Sequence, residues 1–435
     1  MIKIDFFPPD MVKEYEDQIS EEIKKRNGNK NEIRFIPDME YTISIHDLLT
    51  ADSKKILAID GIPLYMSICA SQKYITTEVG ELLHALSSKH SDKVNRIGRY
   101  KYNVDGIIYN SRTRKNEQIA IDKAINLIKS EFPSPYAKFI DGSSTLMELS
   151  NALKKMYDYL ISANFNNKQS KLIIDYSILK GDIRHKILNS LGLRTCPYCN
   201  RNYITSYGEK STADLDHVYQ KKQYPLFALS LFNFVPSCSV CNSRMKNIHP
   251  ADDALYPYEE GFEDDARFEL KTTRKPYEKN FCESTVHLFQ AIRDTKFDEY
   301  DLKIVIDPKT PFSKKKKIEN SEKLFHLKEV YANHKQDALE AAFRTRVYCE
   351  GNYKRHCQRL LKRLEQAGMK MTASVDLEAS MFADIIDYEW LMFGIFFNDE
   401  KRRYEKPLSK MIYDIYINLG KNNAVFKCNK KIHAR

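Results

Sequence analysis

The sequence contains CPYC at residues 196–199 and CSVC at residues 238–241, with ADLDH between them at residues 213–217. Two cysteines separated by two residues can bind one metal ion from a single turn of the chain. Four thiolates complete a closed tetrahedral site, so the spacing predicts a structural zinc ion held by Cys196, Cys199, Cys238 and Cys241. The 38 residues between the pairs exceed what a DNA-reading finger needs, so we expect a folded segment there.

The segment between the cysteine pairs is predicted to contain two strands and a short helix. Residues 201–206 and 213–219 are β-prone and are separated by a Gly-Glu-Lys-Ser turn, which is typical of a hairpin. An apolar run at residues 226–232 follows, and residues 242–247 suit the start of a helix. We therefore expect the order strand, strand, helix.

The same segment contains the residue types that phosphodiester hydrolysis requires. This reaction needs a base for the attacking water and positive charge near the leaving oxygen. His217 titrates near neutral pH and is the candidate base, provided that its ring is held in one orientation, a role that we assign to Asn233. The side-chain oxygens of Asp216 and Asn242 suit Mg²⁺ or Mn²⁺. These four residues form a candidate catalytic site.

The predicted helix also contains candidates for binding nucleic acid. Arg244 and Lys246 follow Asn242 and could hold the phosphates on either side of the cleaved bond by charge-assisted hydrogen bonds. Asn247 and His249 are reserve candidates for the metal.

Each assignment has a structural alternative. The cysteines could be buried thiols without a metal, and His217 could be a hydrogen-bonded histidine of a hairpin. Asn233 could cap the turn that follows it, and Asn242 could be the N-cap of the helix. Asp214 is expected on the strand face opposite to Asp216, either solvated or salt-bridged.

These residues resemble the HNH endonucleases, which have a ββα-metal fold, and in particular the subgroup braced by a four-cysteine zinc site. The resemblance extends from Cys196 to about Phe262. The Asp-His pair of the motif falls on Asp216 and His217, its middle Asn on Asn233 and its last position on Asn242. Many members have His at that last position, so this chain departs from the family there.

The resemblance implies a metal-dependent endonuclease with DNA as the expected substrate. Similar HNH proteins, with the Cys-Pro-Tyr-Cys opening and a Cys-Asn-x-Arg helix, are often effectors of bacterial antiphage systems of the Septu or retron-linked kind that work beside an ATPase, and the resemblance implies the same role here. This sequence contains neither a Gly-x-x-x-x-Gly-Lys-Ser/Thr loop nor a Gly-x-Gly-x-x-Gly motif, so control by ATP would require a partner protein.

Two other functions are compatible with the sequence. A non-catalytic zinc module that binds nucleic acid or a protein would need only the cysteines and the basic residues. An HNH ribonuclease would need the same catalytic residues, because a helix that binds phosphates distinguishes DNA from RNA poorly.

The charge of the chain favours a polyanionic partner. Its formal net charge is +10, and residues 401–435 contain ten Lys or Arg against Glu405 and Asp414. Further basic patches lie at residues 314–317 and around residues 354–363, although a solvated surface is the simpler interpretation of each patch.

The predicted fold class is α+β and mostly helical, with the zinc-braced ββα module at its centre. We divide the chain into three parts: an α/β-leaning region of unknown function (1–142), a helical lead-in with the nuclease domain (143–262), and a mainly helical region with a basic tail (263–435). The lead-in helix is expected to have Ser143 or Ser144 as its N-cap, because apolar residues recur at helical spacing after these residues.

The sequence also predicts the compartment. It has no apolar segment of a signal peptide and no apolar run near 18 residues, so we expect a cytoplasmic protein that does not bind a membrane. The five cysteines outside the two pairs lack disulfide-like spacing, and we expect them to be reduced.

Overall fold

The structure is a computed structural model with a mixed helix and strand fold, in agreement with the predicted class. It describes residues 1–75, 78–164, 173–179, 181–207, 210–247, 251, 253–273, 285–349, 393–397, 399 and 402–421. His249, the basic residues at 354–363 and residues 422–435 of the basic tail lie outside this range.

The chain forms two compact units, and each contains separate parts of the sequence. The cysteine unit consists of residues 1–6, 188–216 and 235–435, and the N-terminal unit consists of residues 7–187 and 217–234. These units do not follow the three predicted regions, because residues 217–234 leave the cysteine-rich segment and fold with the N-terminal residues.

The N-terminal unit is largely helical. Its helices are Pro9–Arg26, Ile45–Thr50, Ser53–Leu57, Ile62–Ala70, Val79–Lys89, Glu117–Ser130, Ala137–Ile140, Leu146–Asn164 and most of Gly181–Ser190. Strands Glu32–Arg34 and Thr42–Ser44 pair with each other. Strands Val94–Gly98, Lys101–Val104 and Ile107–Asn110 form an antiparallel sheet in chain order.

Helix Leu146–Asn164 shows how local sequence sets an element. Leu149, Leu153 and Leu160 are fully buried at helical spacing, as predicted. The N-cap is one residue later than predicted, because the Thr145 hydroxyl accepts a hydrogen bond from the Glu148 amide at 3.2 Å. The Glu148 carboxylate in turn accepts one from the Thr145 amide at 3.2 Å, which completes a capping box.

The cysteine unit combines short strand pairs with helices. Its strand pairs are Ser206–Tyr207 with Lys210–Ser211, Ala266–Thr272 with Tyr300–Ile306, and most of Ala213–His217 with most of Phe234–Cys238. Its helices are Val240–Lys246, Thr285–Arg293, Phe312–Leu324, Leu327–Tyr331, Lys335–Cys349 and Ser409–Lys421. Among the described helices, none combines the length and the apolar composition needed to span a membrane.

The predicted hairpin of residues 201–219 is only partly present. Strand Ala213–His217 pairs with Phe234–Cys238, a strand that the sequence analysis did not predict. All five residues of Phe234–Cys238 are buried, so this strand lacks the alternation of apolar and polar residues that marks a half-buried strand. A short π-helical segment, Val240–Lys246, follows it.

Candidate metal centre and the predicted catalytic residues

The structure brings the four predicted cysteines together. Their Sγ atoms all lie within 4.8 Å of one another, and the side chains of Cys196, Cys199, Cys238 and Cys241 are buried free thiols. A tetrahedral zinc ion with Zn–S bonds of about 2.3 Å would place its sulfurs about 3.8 Å apart. The cluster is close to that size, so it can hold a structural metal ion such as zinc.

A tight turn presents the first cysteine pair. The Asn200 amide donates to the Cys196 carbonyl at 2.7 Å, and the Cys196 amide donates to the Asn202 carbonyl at 3.0 Å. Asn200 has a φ of 47°, a left-handed conformation that asparagine adopts more readily than most residues. The residue after the pair therefore closes the turn that points both sulfurs inward.

Hydrogen bonds to sulfur lower the pKa of Cys199 and Cys238 and favour their thiolates, whereas burial raises the pKa of Cys196 and hydrogen bonds to the other three cysteines raise that of Cys241. The Arg201 amide lies 3.4 Å from Cys199 Sγ, and the Asn202 side-chain amide lies 3.2 Å from Cys238 Sγ. Hydrogen bonds from the other three thiols, with a smaller contribution from Asn202, lower the pKa of Cys238. A lowered pKa suits metal binding, because the thiolate is the ligand.

Asn200 also fixes the turn to a distant helix of the same unit. It is 1% exposed, and its side-chain oxygen accepts from the Lys410 amide at 2.8 Å and the Ser409 hydroxyl at 3.2 Å. Its side-chain nitrogen donates to the Thr195 hydroxyl at 3.2 Å and the Lys406 carbonyl at 3.2 Å. Nothing local in the sequence indicates this role, because three of the partners, Lys406, Ser409 and Lys410, lie more than 200 residues away.

Asp216, a predicted metal ligand, lies in the interior of the cysteine unit. Its carboxylate accepts hydrogen bonds from the Tyr198 hydroxyl at 2.6 Å and the Lys246 ammonium at 2.8 Å. The Lys246 and Asp216 side chains are 2% and 3% exposed. Lys246 therefore pairs with Asp216 here, which differs from its predicted contact with a phosphate. Burial and then the Asp216 charge raise the pKa of Tyr198.

Asn242 and Asp214 also meet in this unit. The Asn242 side-chain nitrogen donates to the Asp214 carboxylate at 3.2 Å. Asp214 and Asp216 both contact segment Val240–Lys246, so the expectation that they lie on opposite strand faces is wrong. Residues two apart on a strand share a face. Arg244, on the same segment, is exposed, as a phosphate contact would require.

His217, the predicted base, belongs to the N-terminal unit. Its Nε2 lies 3.1 Å from the Ala228 carbonyl oxygen, and the side chain is 8% exposed. The rings of Tyr176 and Phe234 contact it edge-on, with centroids 4.9 and 5.0 Å away. Because a carbonyl only accepts, Nε2 carries the hydrogen, and Nδ1 is the basic nitrogen of the neutral ring.

Asn233 binds the backbone of the loop that contains Ala228, whose carbonyl accepts the hydrogen bond from His217. Its side-chain oxygen accepts from the Tyr219 amide at 2.6 Å, and its nitrogen donates to the Tyr219 and Phe227 carbonyls at 2.9 Å each. Phe227 precedes Ala228, so Asn233 closes the loop that orients the histidine. Asn233 was predicted to orient His217, and the contacts that it makes with this loop are of an indirect kind.

The N-terminal region supports the same loop, a role that the sequence analysis did not find. The Tyr15 hydroxyl donates to the Leu229 carbonyl at 2.5 Å, and the Tyr65 hydroxyl accepts from the Leu226 amide at 3.0 Å. The Tyr65 ring packs edge-on against Phe227, with centroids 5.6 Å apart. Residues 7–187 thus hold residues 217–234 within their own unit.

The predicted catalytic residues are divided between the two units: Asp216 and Asn242 belong to the cysteine unit, and His217 and Asn233 to the N-terminal unit. Comparisons with known proteins found no matching family model, no matching curated protein and no matching solved structure. Function is therefore inferred from the sequence pattern and from the contacts of these residues.

Proposed function

We propose that this protein is a metal-dependent endonuclease of the HNH kind that hydrolyses phosphodiester bonds in DNA. The observation that carries this proposal is the fixed orientation of His217, whose Nε2 is held by the Ala228 carbonyl on a loop closed by Asn233. The order of strand, strand and helical segment in residues 213–246 also supports it. A fixed imidazole with a defined basic nitrogen is what a general base requires.

The four-cysteine cluster has a structural role in this proposal. Zinc held by Cys196, Cys199, Cys238 and Cys241 would join the turn at residues 196–199 to the end of strand Phe234–Cys238 and to the segment that follows it. A closed site with four sulfurs leaves no position for water, so it supplies stability rather than chemistry.

His217 performs the proton transfer. Nδ1 accepts a proton from the attacking water, while the bond from Nε2 to Ala228 keeps the ring in place and stabilises the charged form. The tyrosine and phenylalanine rings beside it restrict its rotation. Attack on phosphorus, with departure of the 3′ oxygen, leaves a 5′ phosphate on the product.

Asp216 and Asn242 are the proposed ligands of the catalytic ion. Their oxygen atoms are of the kind that Mg²⁺ or Mn²⁺ prefers, and the Asp216 carboxylate already binds one cation, the Lys246 ammonium. A Mg²⁺ or Mn²⁺ ion held by these residues would supply positive charge that stabilises the leaving oxygen. Binding of that ion requires Lys246 to give up its place on the carboxylate.

The proposed biological setting is a bacterial antiphage or restriction system with an ATPase partner. It rests on the resemblance of the motif and on the absence of a nucleotide-binding loop from the sequence. Arg244, exposed on segment Val240–Lys246, is the proposed contact to a DNA phosphate.

Cleavage of supercoiled plasmid tests the enzyme. Wild type, His217→Ala and His46→Ala are incubated with Mg²⁺, Mn²⁺ or EDTA, after bound zinc has been quantified, and RNA substrates are run in parallel. His46 is a matched control because it is an exposed histidine of the same unit, paired with Glu16 at 2.8 Å. Nicking that requires the metal and is lost only in His217→Ala supports the proposal. Nicking that persists in His217→Ala refutes the role of His217.

A second candidate is a non-catalytic zinc module that binds nucleic acid. The buried pair of Asp216 and Lys246 favours it, because a carboxylate that holds an ammonium and the Tyr198 hydroxyl has a complete structural role. This candidate predicts binding without cleavage, and binding that His217→Ala leaves unchanged.

A further inference from the structure

The antiparallel sheet of the N-terminal unit carries an exposed basic and aromatic surface at one end. The turn at residues 99–101 and the loop at residues 111–115, together called the sheet tip, are adjacent there. The Ser111 amide donates to the Tyr100 carbonyl at 2.9 Å, and Asn110 and Lys115 form an antiparallel bridge. These backbone contacts hold the sheet tip as one surface.

The sheet concentrates positive charge. Residues 93–115 contain seven Lys or Arg against one acidic residue, Asp105, in a chain whose formal charge is +10. Within the part of the chain that the structure describes, Arg99, Lys101 and Arg112 form no ion pair with a carboxylate, whereas Arg114 pairs with Glu117. Three cations of the sheet tip are therefore available to an anionic ligand.

An exposed tyrosine lies among these cations. Tyr100 is 41% exposed, and the guanidinium carbons of Arg99 and Arg112 lie 5.4 and 6.0 Å from its ring centroid. Ile97 and Ile108 of the same sheet are 53% and 52% exposed. An exposed aromatic ring that lies among unpaired cations combines an apolar face with positive charge, and this combination favours a binding surface for an anionic aromatic ligand.

We infer that the sheet tip binds single-stranded nucleic acid, with Tyr100 stacking on a base and Arg99, Lys101 and Arg112 holding the adjacent phosphates. Guanidinium groups form charge-assisted hydrogen bonds with phosphate oxygens. An aromatic ring can stack on a base only where that base is unpaired, which distinguishes a single strand from a duplex. The same surface serves a nuclease and a non-catalytic binding protein, so the inference goes beyond the proposed function.

Fluorescence anisotropy with a labelled oligothymidylate tests the inference. The full-length, zinc-loaded protein is titrated without added divalent ion, so that cleavage does not contribute, and a duplex of the same length is measured beside it. We expect Tyr100→Ala to weaken single-strand binding by on the order of 5- to 150-fold, and Tyr100→Phe to retain it. The exposed aromatic Phe312 provides the matched control Phe312→Ala, which should bind like the wild type.

The cations are tested by the dependence of affinity on salt. The double variant Arg99→Gln/Arg112→Gln should reduce the slope of log K against log salt by about 1.4 for a single strand, because each phosphate contact contributes about 0.7. Tyr100→Ala should leave that slope unchanged. The control Lys54→Gln/Lys55→Gln, on exposed residues of helix Ser53–Leu57, should change neither the slope nor the affinity.

Three results would overturn the inference: equal affinity of Tyr100→Ala and the wild type, equal or tighter binding of the duplex, or an unchanged salt slope in the arginine double variant. Circular dichroism of each variant confirms folding. The outcome is separable from the proposed function, since His217→Ala should lose cleavage and still bind the oligonucleotide.

Discussion

Replacing Lys246 by methionine tests the buried ion pair of the cysteine unit. The Lys246 ammonium lies 2.8 Å from the Asp216 carboxylate, and both side chains are almost completely buried. The variant removes the ammonium and leaves a negative charge in the interior. Removal of one partner from a buried pair costs about 3–5 kcal/mol of unfolding free energy, and we expect a loss in that range.

A double-mutant cycle separates the pair from the packing around it. Asp216→Asn should lower the unfolding free energy by about as much as Lys246→Met, because it leaves the Lys246 ammonium buried without its charged partner. The double variant buries no charge at this pair, and the side-chain oxygen of the new asparagine can still accept a hydrogen bond from Tyr198. We therefore expect its unfolding free energy to lie within about 2 kcal/mol of the wild-type value. The two single losses should therefore be strongly non-additive.

Urea denaturation at neutral pH, with release of zinc to a chromophoric chelator as the signal, measures the cysteine unit. The matched control is Arg344→Met. Arg344 lies 3.5 Å from Glu340 in a surface pair whose side chains are 47% and 38% exposed. Solvent screens that pair, so its loss should cost less than about 1 kcal/mol. Additive single losses, or a loss in Lys246→Met no larger than in the control, would refute the reasoning.

The same variant distinguishes the two candidate functions. If Asp216 binds the catalytic ion, Lys246→Met should bind Mn²⁺ more tightly than the wild type, because the competing ammonium is absent. Electron paramagnetic resonance of Mn²⁺ titrations measures this affinity. Equal Mn²⁺ affinity in Lys246→Met, Asp216→Asn and the wild type would favour the non-catalytic module.

Three further predictions concern the metal, the loop and a helix cap. Cys196→Ser should lose bound zinc and unfold the cysteine unit, as measured by metal analysis and circular dichroism. The control Cys69→Ser should retain zinc, and equal zinc contents in the two variants would contradict the proposed metal site. Asn233→Ala should lower the unfolding free energy, measured by urea denaturation, by about 2–4 kcal/mol, because it leaves buried backbone groups unpaired. It should also abolish cleavage, and full activity would show that Asn233 does not position His217 through the loop. Hydrogen bonds from Ser144 and Thr145 lower the pKa of Glu148 from its ordinary value of 4.5, so they stabilise the fold above pH 4.5 and this stabilisation is lost as the pH falls through the folded pKa. In Glu148→Gln the unfolding free energy should therefore fall less steeply with decreasing pH, and a slope equal to that of the wild type would exclude this contribution.

Some features were predictable because their determinants are close in sequence. The two Cys-x-x-Cys pairs each form within one turn, and their spacing was enough to predict a four-cysteine cluster. Helix Leu146–Asn164 followed from apolar residues at helical spacing.

The sequence failed to predict structure at residues that are buried without a recognisable local pattern. Strand Phe234–Cys238 is buried along its whole length, so no alternation identified it or its pairing with Ala213–His217. Lys246 was predicted to bind phosphate because it follows Asn242 on the expected helix, whereas the packing of the cysteine unit places it against Asp216.

The sequence by itself determined the chemistry that is available: four thiols at metal-binding spacing, an Asp-His pair and a basic excess. Tertiary structure decided how these groups are used. It placed Lys246 on Asp216, used Asn233 to close the loop of His217, and assigned residues 217–234 to the unit built by the N-terminal region. The physical reason is that spacing fixes which groups can share one turn, whereas burial and hydrogen bonds between distant residues determine which partner each group binds.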